Sequence, residues 1–256
     1  MGVYTTEIAS DKLASDNPIH QRLLKAYYAA QPYVKGDLLE LGCGEGRGVE
    51  LLAPLADSYR AVDKIDSVID ALRAKYPDLV FEQGVFPPFT FADNSFDTIV
   101  TFQVIEHLKD DHQFIKEIYR VLRPGGRAII TTPNIKMTLT RNPWHIREYT
   151  ATELSDIARQ YFSQVDMKGI GGNEKVMAYY QQNKESVKKI TRFDVFNLQY
   201  RLPAPILRIP YDLMNRLNRN KLNSQDNELV ASITQDDYLL KDQAEDNLDL
   251  FLVLTK

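Results

Sequence analysis

The stretch "LLELGCGEGRG", residues 38–48, constrains the fold more than any other part of the chain. An apolar run, Leu38–Leu39–Glu40–Leu41, meets Gly42, Gly44, Gly46 and Gly48, so four of the twelve glycines fall within seven residues. A strand that ends in a glycine-rich turn and opens a helix places backbone N–H groups and a positive helix terminus at the carboxyl edge of a parallel sheet. Each glycine costs up to about 1 kcal/mol of conformational entropy wherever an ordinary residue would serve. Such density therefore has a purpose, either a tight turn for its own sake or the close approach of a ligand. The dinucleotide spacing GxGxxG needs glycine at position 47, where Arg47 stands. A GxGxG turn suits a ligand lying across it better than a pyrophosphate docked on the helix.

The rest of the chain alternates in the same way. Apolar runs predict strands at 37–41, 58–63, 79–82, 98–102 and 128–132, with helical periodicity over 47–56, 67–76 and 111–122 between them. A further helix at 153–161, a strand at 164–167 and a buried terminal strand at 248–254 follow. Strand–helix alternation at this spacing implies right-handed crossovers and a parallel sheet with helices on both faces, an α/β class. The second strand ends at Asp63, where a carboxylate can accept hydrogen bonds from both hydroxyls of a ribose; elsewhere a lone acid is usually a solvated charge.

Residues 174–222 break this rhythm with a helical, Tyr/Lys/Arg-rich stretch punctuated by Pro203, Pro205 and Pro210. Residues 184–221 hold nine Lys/Arg against three Asp/Glu, a net +6, which leaves −10 for the remainder of a chain whose formal charge is −4. The formal charge of −4 over the whole chain argues against a nucleic-acid partner. The single cysteine, Cys43, excludes an internal disulfide, and with four scattered histidines no metal site is expected. No apolar run is long enough to span a bilayer and the N-terminal residues lack a signal-peptide core, so the expected location is cytoplasmic. Met1–Gly2 with Thr6 formally fits a myristoylation pattern, one short enough to arise by accident.

Four ordered motifs together carry a resemblance: the glycine turn after Glu40, Asp63, "DNSFDTIVTFQVIEHL" (93–108) and "EIYRVLRPGGRAIITTPN" (117–134). They resemble a class I S-adenosylmethionine-dependent methyltransferase of the broad small-molecule type. "RNPWHIREYTATEL" (141–154) is also similar to the loop after the fifth strand in bacterial members of surface-glycan and secondary metabolism. The resemblance implies a Rossmann-like, seven-stranded, mostly parallel sheet with an antiparallel final strand and a helical insertion before it. The corresponding divisions of one methyltransferase domain are a helical cap (1–36), a cofactor-binding core (37–173), an insertion or lid (174–230) and the final-strand region (231–256).

Carried over by position, Gly42, Cys43, Gly44 and Gly46 would border the methionine and ribose of S-adenosylmethionine, with S-adenosylhomocysteine as product. Glu40 would orient the amino end, Asp63 would hold the ribose, and Lys64 or Ile65 would pack beside the adenine. Many relatives have Gly-Asp after the third strand; here Gly84 and Val85 precede Phe86–Pro87–Pro88–Phe89, which leaves adenine to backbone and apolar contacts. Gln103 is a further candidate for the cofactor pocket.

The sulfonium methyl is already electrophilic, so the protein must align the acceptor and remove a proton if the nucleophile is a hydroxyl. His107 and His145 are the candidate bases; for each, the alternative is a structural or solvated imidazole. Trp144, Arg147 and Tyr149 are candidates for acceptor contact. The basic insertion admits three readings: a solvated lid, a lid selecting an anionic or lipid-linked acceptor, or a dimer or membrane-surface element through 201–221. The main functional expectation is O-methylation of a small-molecule, glycan or lipid-linked acceptor. Two rivals stand beside it. A nicotinamide-dependent oxidoreductase would need glycine at position 47, which the chain lacks, and a Tyr-x-x-x-Lys pair, which Tyr179–Tyr180 with Lys184 approach from within the insertion. The other is an S-adenosylmethionine-binding scaffold without catalysis.

Overall fold

The computed structural model describes residues 13–192, 194 and 196–256. The Met1–Gly2–Thr6 pattern lies outside the described residues. Helix α1 (Asn17–Ala30) leads into β1 (Asp37–Leu41), α2 (Val49–Leu52), β2 (Ser58–Asp63), α3 (Asp66–Lys75), β3 (Val80–Gln83) and β4 (Phe96–Phe102). Then come α4 (Asp111–Val121), β5 (Leu122–Pro133), α5 (Ala151–Arg159) and β6 (Gln164–Gly172). Helices α6 (Glu174–Thr191), α7 (Leu198–Arg201), α8 (Ala204–Gln225) and α9 (Asn227–Ser232) precede β7 (Tyr238–Asp242) and β8 (Asp249–Thr255).

The strands form one mixed sheet in the order β3-β2-β1-β4-β5-β8-β6-β7. Neighbours from β3 to β5 are parallel, while β8 runs antiparallel to both β5 and β6. The class is the expected Rossmann-like α/β, but the sheet has eight strands against an expectation of seven. The additional strand is β7, an edge strand paired antiparallel with β6. Tyr238–Leu239–Leu240 is too short an apolar run, set among Asp236, Asp237 and Asp242, to stand out from loop sequence. It also separates the helical insertion from the final strand.

Alternation along the strands sends side chains to two cores. Leu38, Ile129, Phe251 and Val253 face one layer with α1, α3 and α6; Leu39, Leu41, Ala128, Ile130, Leu250 and Leu252 face the other with α4 and α5. In α4, Phe114, Ile115, Ile118 and Val121 recur at helical spacing and are all fully buried. Asp110 caps that helix by accepting the Gln113 N–H at 2.9 Å, and Thr150 and Glu153 close a capping box on α5. The helix expected over 47–56 is shorter, because Pro54 has no N–H for the next bond of the ladder and the segment tightens to a 3-10 turn at Ala53–Leu55. Among the described residues no helix is long and apolar enough to cross a membrane.

The glycine loop is wedged under α1. A Cβ at Gly48 would stand 1.9 Å from the Tyr27 ring, and Tyr27 meets Phe102 edge-on with ring centroids 4.8 Å apart. Because Gly48 has an ordinary helical φ of −90°, only crowding opposes a methyl there. Gly48→Ala is expected to destabilise the fold by about 1–3 kcal/mol, measured by urea unfolding; an unchanged midpoint would show that α1 does not hold the loop.

Candidate active site

The chain fills the sheet outward from β1 to β3 and then returns to β4 and β5, so the strand order reverses between β1 and β4. A crevice opens at such a switch point beyond the carboxyl ends of the strands. Here it is a cavity of about 330 Å³ lined by the Gly42–Cys43–Gly44 backbone, Asp63, Lys64, Ile65, Gly84, Val85, Phe86, Gln103 and His107. Gly44 holds φ +50° and a Cβ built on it would meet nothing within 4 Å. The cavity begins where that side chain would be.

Asp63, at the tip of β2, is 8% exposed. One carboxylate oxygen accepts the Gly44 N–H at 2.9 Å and the other the Ile65 N–H at 3.0 Å. The carboxylate therefore fixes the glycine loop to the neighbouring strand end. Two oxygens offer about four acceptor positions, so capacity remains for hydroxyl donors in the cavity. Phe86 stacks on Phe114, 18° between planes and 5.8 Å between centroids, which gives this end of the cavity the apolar wall expected in place of an acid.

Eight of the ten cofactor candidates line this cavity; Glu40 and Gly46 do not. Gly46 turns toward Leu72, which a Cβ there would meet at 2.4 Å. Glu40 corrects a specific expectation. Instead of facing the ligand it is buried behind the loop, where it accepts hydrogen bonds from the hydroxyls of Tyr27, at 2.9 Å, and Tyr59. Burial raises its carboxyl to about 7, against the opposing pull of the two hydroxyls.

A second cavity, about 300 Å³, lies beyond the tips of β4 and β5 and shares Leu23, Gln103 and His107 with the first. The His107 imidazole is held by Nδ1 against the Trp144 carbonyl at 3.0 Å. A carbonyl can only accept, so Nδ1 carries the proton and Nε2 is the basic nitrogen. His145 lies edge-on to His107, centroids 5.0 Å apart. Its Nδ1 donates to Glu148 at 2.7 Å, and its Nε2 faces the Asn142 amide at 2.9 Å. Glu106, Glu148 and Asn142 join the histidines in the lining, and sequence reading missed all three.

Glu106 is buried, accepts the Thr132 hydroxyl at 2.9 Å, and has its other carboxylate oxygen without a hydrogen-bond partner. Burial raises its carboxyl to about 7. Donor atoms of Glu106, His107 and His145 lie within 4.8 Å of one another, yet both His145 ring nitrogens are already engaged. The trio thus does not present three open lone pairs to a metal. Gln103 adopts a left-handed φ of +56°. Its amide reaches toward Asp249 at 3.3 Å, and Asp249 in turn is clamped by Arg22, whose Nε donates at 2.6 Å. The strained backbone therefore sits at the junction of the two cavities.

Trp144, Arg147 and Tyr149 line neither cavity by the residues that define it. Arg147 and Tyr149 both turn to Asp111 of α4, at 3.0 and 2.9 Å, while the Trp144 indole donates to Asp212 at 2.9 Å under the Arg208 guanidinium. Backbone N–H groups of Ile146 and Arg147 bind the Glu106 carbonyl, which pins the loop and leaves Thr138, Asn142, His145 and Glu148 facing inward. From the insertion, Tyr179, Tyr180, Asn215, Asn218 and Arg219 complete the lining. Lys184 is exposed and outside both cavities, so Tyr180 and Lys184 do not form an oxidoreductase pair.

The chain resembles known proteins in part of its sequence and in its fold. Residues 39–130 match a family described as a methyltransferase domain. The chain is 41% identical over 127 residues to a probable S-adenosylmethionine-dependent methyltransferase of Mycolicibacterium smegmatis, a match covering 47% of this chain and 49% of that protein. A Mycobacterium tuberculosis protein of the same description is 39% identical over 127 residues, 47% and 46% of the two chains. The match thus spans about half the length of these curated relatives. A SAM-dependent methyltransferase structure from Thermotoga maritima shares the fold at TM-score 0.58 and 14% identity, over 93% of this chain and 92% of that one. The chain takes the class I methyltransferase fold. Its residues 39–130 are similar to known methyltransferase domains.

Glu40 gives a signed pH prediction. Its folded carboxyl, near 7, lies above the ordinary 4.5, so its contribution to stability is present at low pH and lost as pH rises through that interval. Glu40→Gln cannot ionise, although it accepts from one tyrosine fewer. Its cost in thermal or urea unfolding is expected to shrink by about 2 kcal/mol between about pH 5 and about pH 7.5. A cost independent of pH would contradict the buried-carboxyl account.

Proposed function

We propose that this protein transfers the methyl group of S-adenosylmethionine to an oxygen of a small-molecule, glycan or lipid-linked acceptor. The observation that carries the reading is the meeting of the two cavities at His107, Gln103 and Leu23. One cavity has bare glycine backbone and a ribose-type carboxylate; the other has polar groups and imidazoles. The open space at Gly44 and the remaining acceptor capacity of Asp63 fit an adenosyl ligand lying across the loop. When bound, S-adenosylmethionine supplies an electrophilic methyl group, so no covalent enzyme intermediate is required.

In this reading Asp63 holds the ribose hydroxyls, with Gly42–Gly44 along the methionine and Gly84–Phe86 at the adenine. Glu148 and Asn142 set the tautomer and orientation of His145, which packs on His107. His107 Nε2 would take the proton of the acceptor hydroxyl as the methyl group passes from sulfur to oxygen, with the thioether as leaving group. Glu106, once ionised, stabilises the imidazolium that results. A hydroxyl must give up its proton as it is methylated, and the imidazole pair suits that requirement. A cytoplasmic setting, where S-adenosylmethionine is made, goes with the reading.

Calorimetry with S-adenosylhomocysteine tests the first cavity. The wild type is expected to bind, and Asp63→Ala to bind more weakly by about 1–3 kcal/mol, the scale of removing a buried acceptor from a hydroxyl donor. Equal affinity of the variant would refute the ribose assignment. Labelled-methyl incorporation into lysate metabolites tests the second. His107→Ala should slow transfer by about a hundredfold while S-adenosylhomocysteine affinity stays near wild type; full activity would remove His107 as the base.

A further inference from the structure

Helix α8 reverses the usual amphipathic arrangement. Its inward face presents Tyr211, Asn215, Asn218 and Arg219 to the second cavity. Its outward face carries Ile206, Ile209, Leu213, Met214 and Leu217, all exposed, with Ile209 at 80%. Positions 206, 209, 213 and 217 are spaced by three and four residues and make one stripe along three turns. Pro210 lies on the same side of the helix. Just upstream, Phe196, Leu198 and Tyr200 are exposed as well. Eight of the seventeen exposed large apolar side chains among the described residues fall within 196–217. Single exposed apolar residues need no explanation; a concentration of this kind marks a contact surface.

The charge of the segment that carries the stripe identifies the surface. Arg216 and Arg219 turn inward to Asp16, and Arg208 covers Trp144. These arginines therefore serve contacts within the protein. The exposed positive charge comes instead from Lys184, Lys188, Lys189 and Arg192 at the end of α6, Arg201 of α7 and Lys221 of α8. Against it stand the exposed Glu185 and Asp212. With −10 on the rest of the chain, an anionic plane would attract this segment and repel the other faces. A second copy seated on the same stripe would instead bring two segments of net +6 together.

We propose that α8 and the preceding residues 196–201 dock on an anionic membrane surface, the apolar stripe lying at the acyl boundary and the α6 lysines on lipid phosphates. The opposite face of the same helix lines the second cavity, so one helix diameter, about 10 Å, separates the docked stripe from the acceptor. Where the methyl-transfer reading holds, and this step rests on it, the acceptor class is an amphiphile whose polar head enters the cavity while its apolar part stays in the bilayer.

Co-sedimentation of the full chain with phosphatidylcholine vesicles, with and without phosphatidylglycerol, tests the docking directly. Binding is expected with phosphatidylglycerol, weak without it, and reduced as salt rises. Ile209→Asp with Leu213→Asp should lower vesicle affinity at least tenfold. Lys188→Glu with Lys189→Glu should do so for phosphatidylglycerol vesicles, at roughly fivefold or more per residue. These positions line neither cavity, so S-adenosylhomocysteine calorimetry on the variants reports intact folding. Three results would overturn the proposal: no binding of the wild type to anionic vesicles, equal binding of the apolar double variant, or a wild-type dimer that the apolar variant converts to monomer. Vesicle binding by a protein that fails to bind S-adenosylhomocysteine would leave the docking standing and end the methyl-transfer reading.

Discussion

The carboxylate of Glu40 is the point on which the site's geometry depends. It lies at 1% exposure on β1, one residue before the strand ends and two before the loop begins. The hydroxyl of Tyr27 reaches it from α1 and that of Tyr59 from β2. A buried carboxylate is costly unless its oxygens are satisfied, and here satisfaction requires both elements to be in place at once. The same Tyr27 ring leaves no room for a side chain at Gly48. Helix, two strands and loop are thereby set relative to one another before any ligand arrives. Asp63 adds the last tie by fastening the Gly44 N–H to the next strand end.

A comparable economy appears at the tip of β4. Gln103 turns through a left-handed backbone conformation, Glu106 holds the 141–149 loop through its carbonyl, and His107 is oriented by the Trp144 carbonyl. Residues 103–107 thus supply the wall shared by both cavities. The 141–149 loop contributes its main chain to this tip and its inward side chains to the second cavity. Its larger side chains pack elsewhere.

Much of this was legible in the sequence. β1 and β2 coincide with their expected bounds because apolar runs are closed sharply by glycine and by Asp63. The end of α4 falls within one residue of expectation because apolar periodicity and the Arg123–Pro124–Gly125 break agree. What escaped was long-range. Nothing local shows that Glu40 serves tyrosines 13 and 19 residues away, or that Asp111 draws Arg147 and Tyr149 aside from the acceptor. His107 and His145 are brought together only by the path of the loop after β5. In α8 the sequence did not show which face turns outward. Periodicity tells that a helix has two sides without telling which one meets the protein.

The position of β8 has a bearing on how the molecule is assembled. β5 and β6 are not paired with each other; each is paired with β8, which enters between them in the opposite direction. A ribosome delivers β5 and β6, and all four helices of the insertion, before the strand that joins them. Until that strand threads into place, β6 and β7 with their helices are tethered to the parallel half by α5 and its loops, and the Asp249 that anchors Arg22 and Gln103 is missing. The glycine loop and Asp63 belong to the half that can form first, whereas the clamp beside the second cavity waits for β8, which is made after β5 and β6.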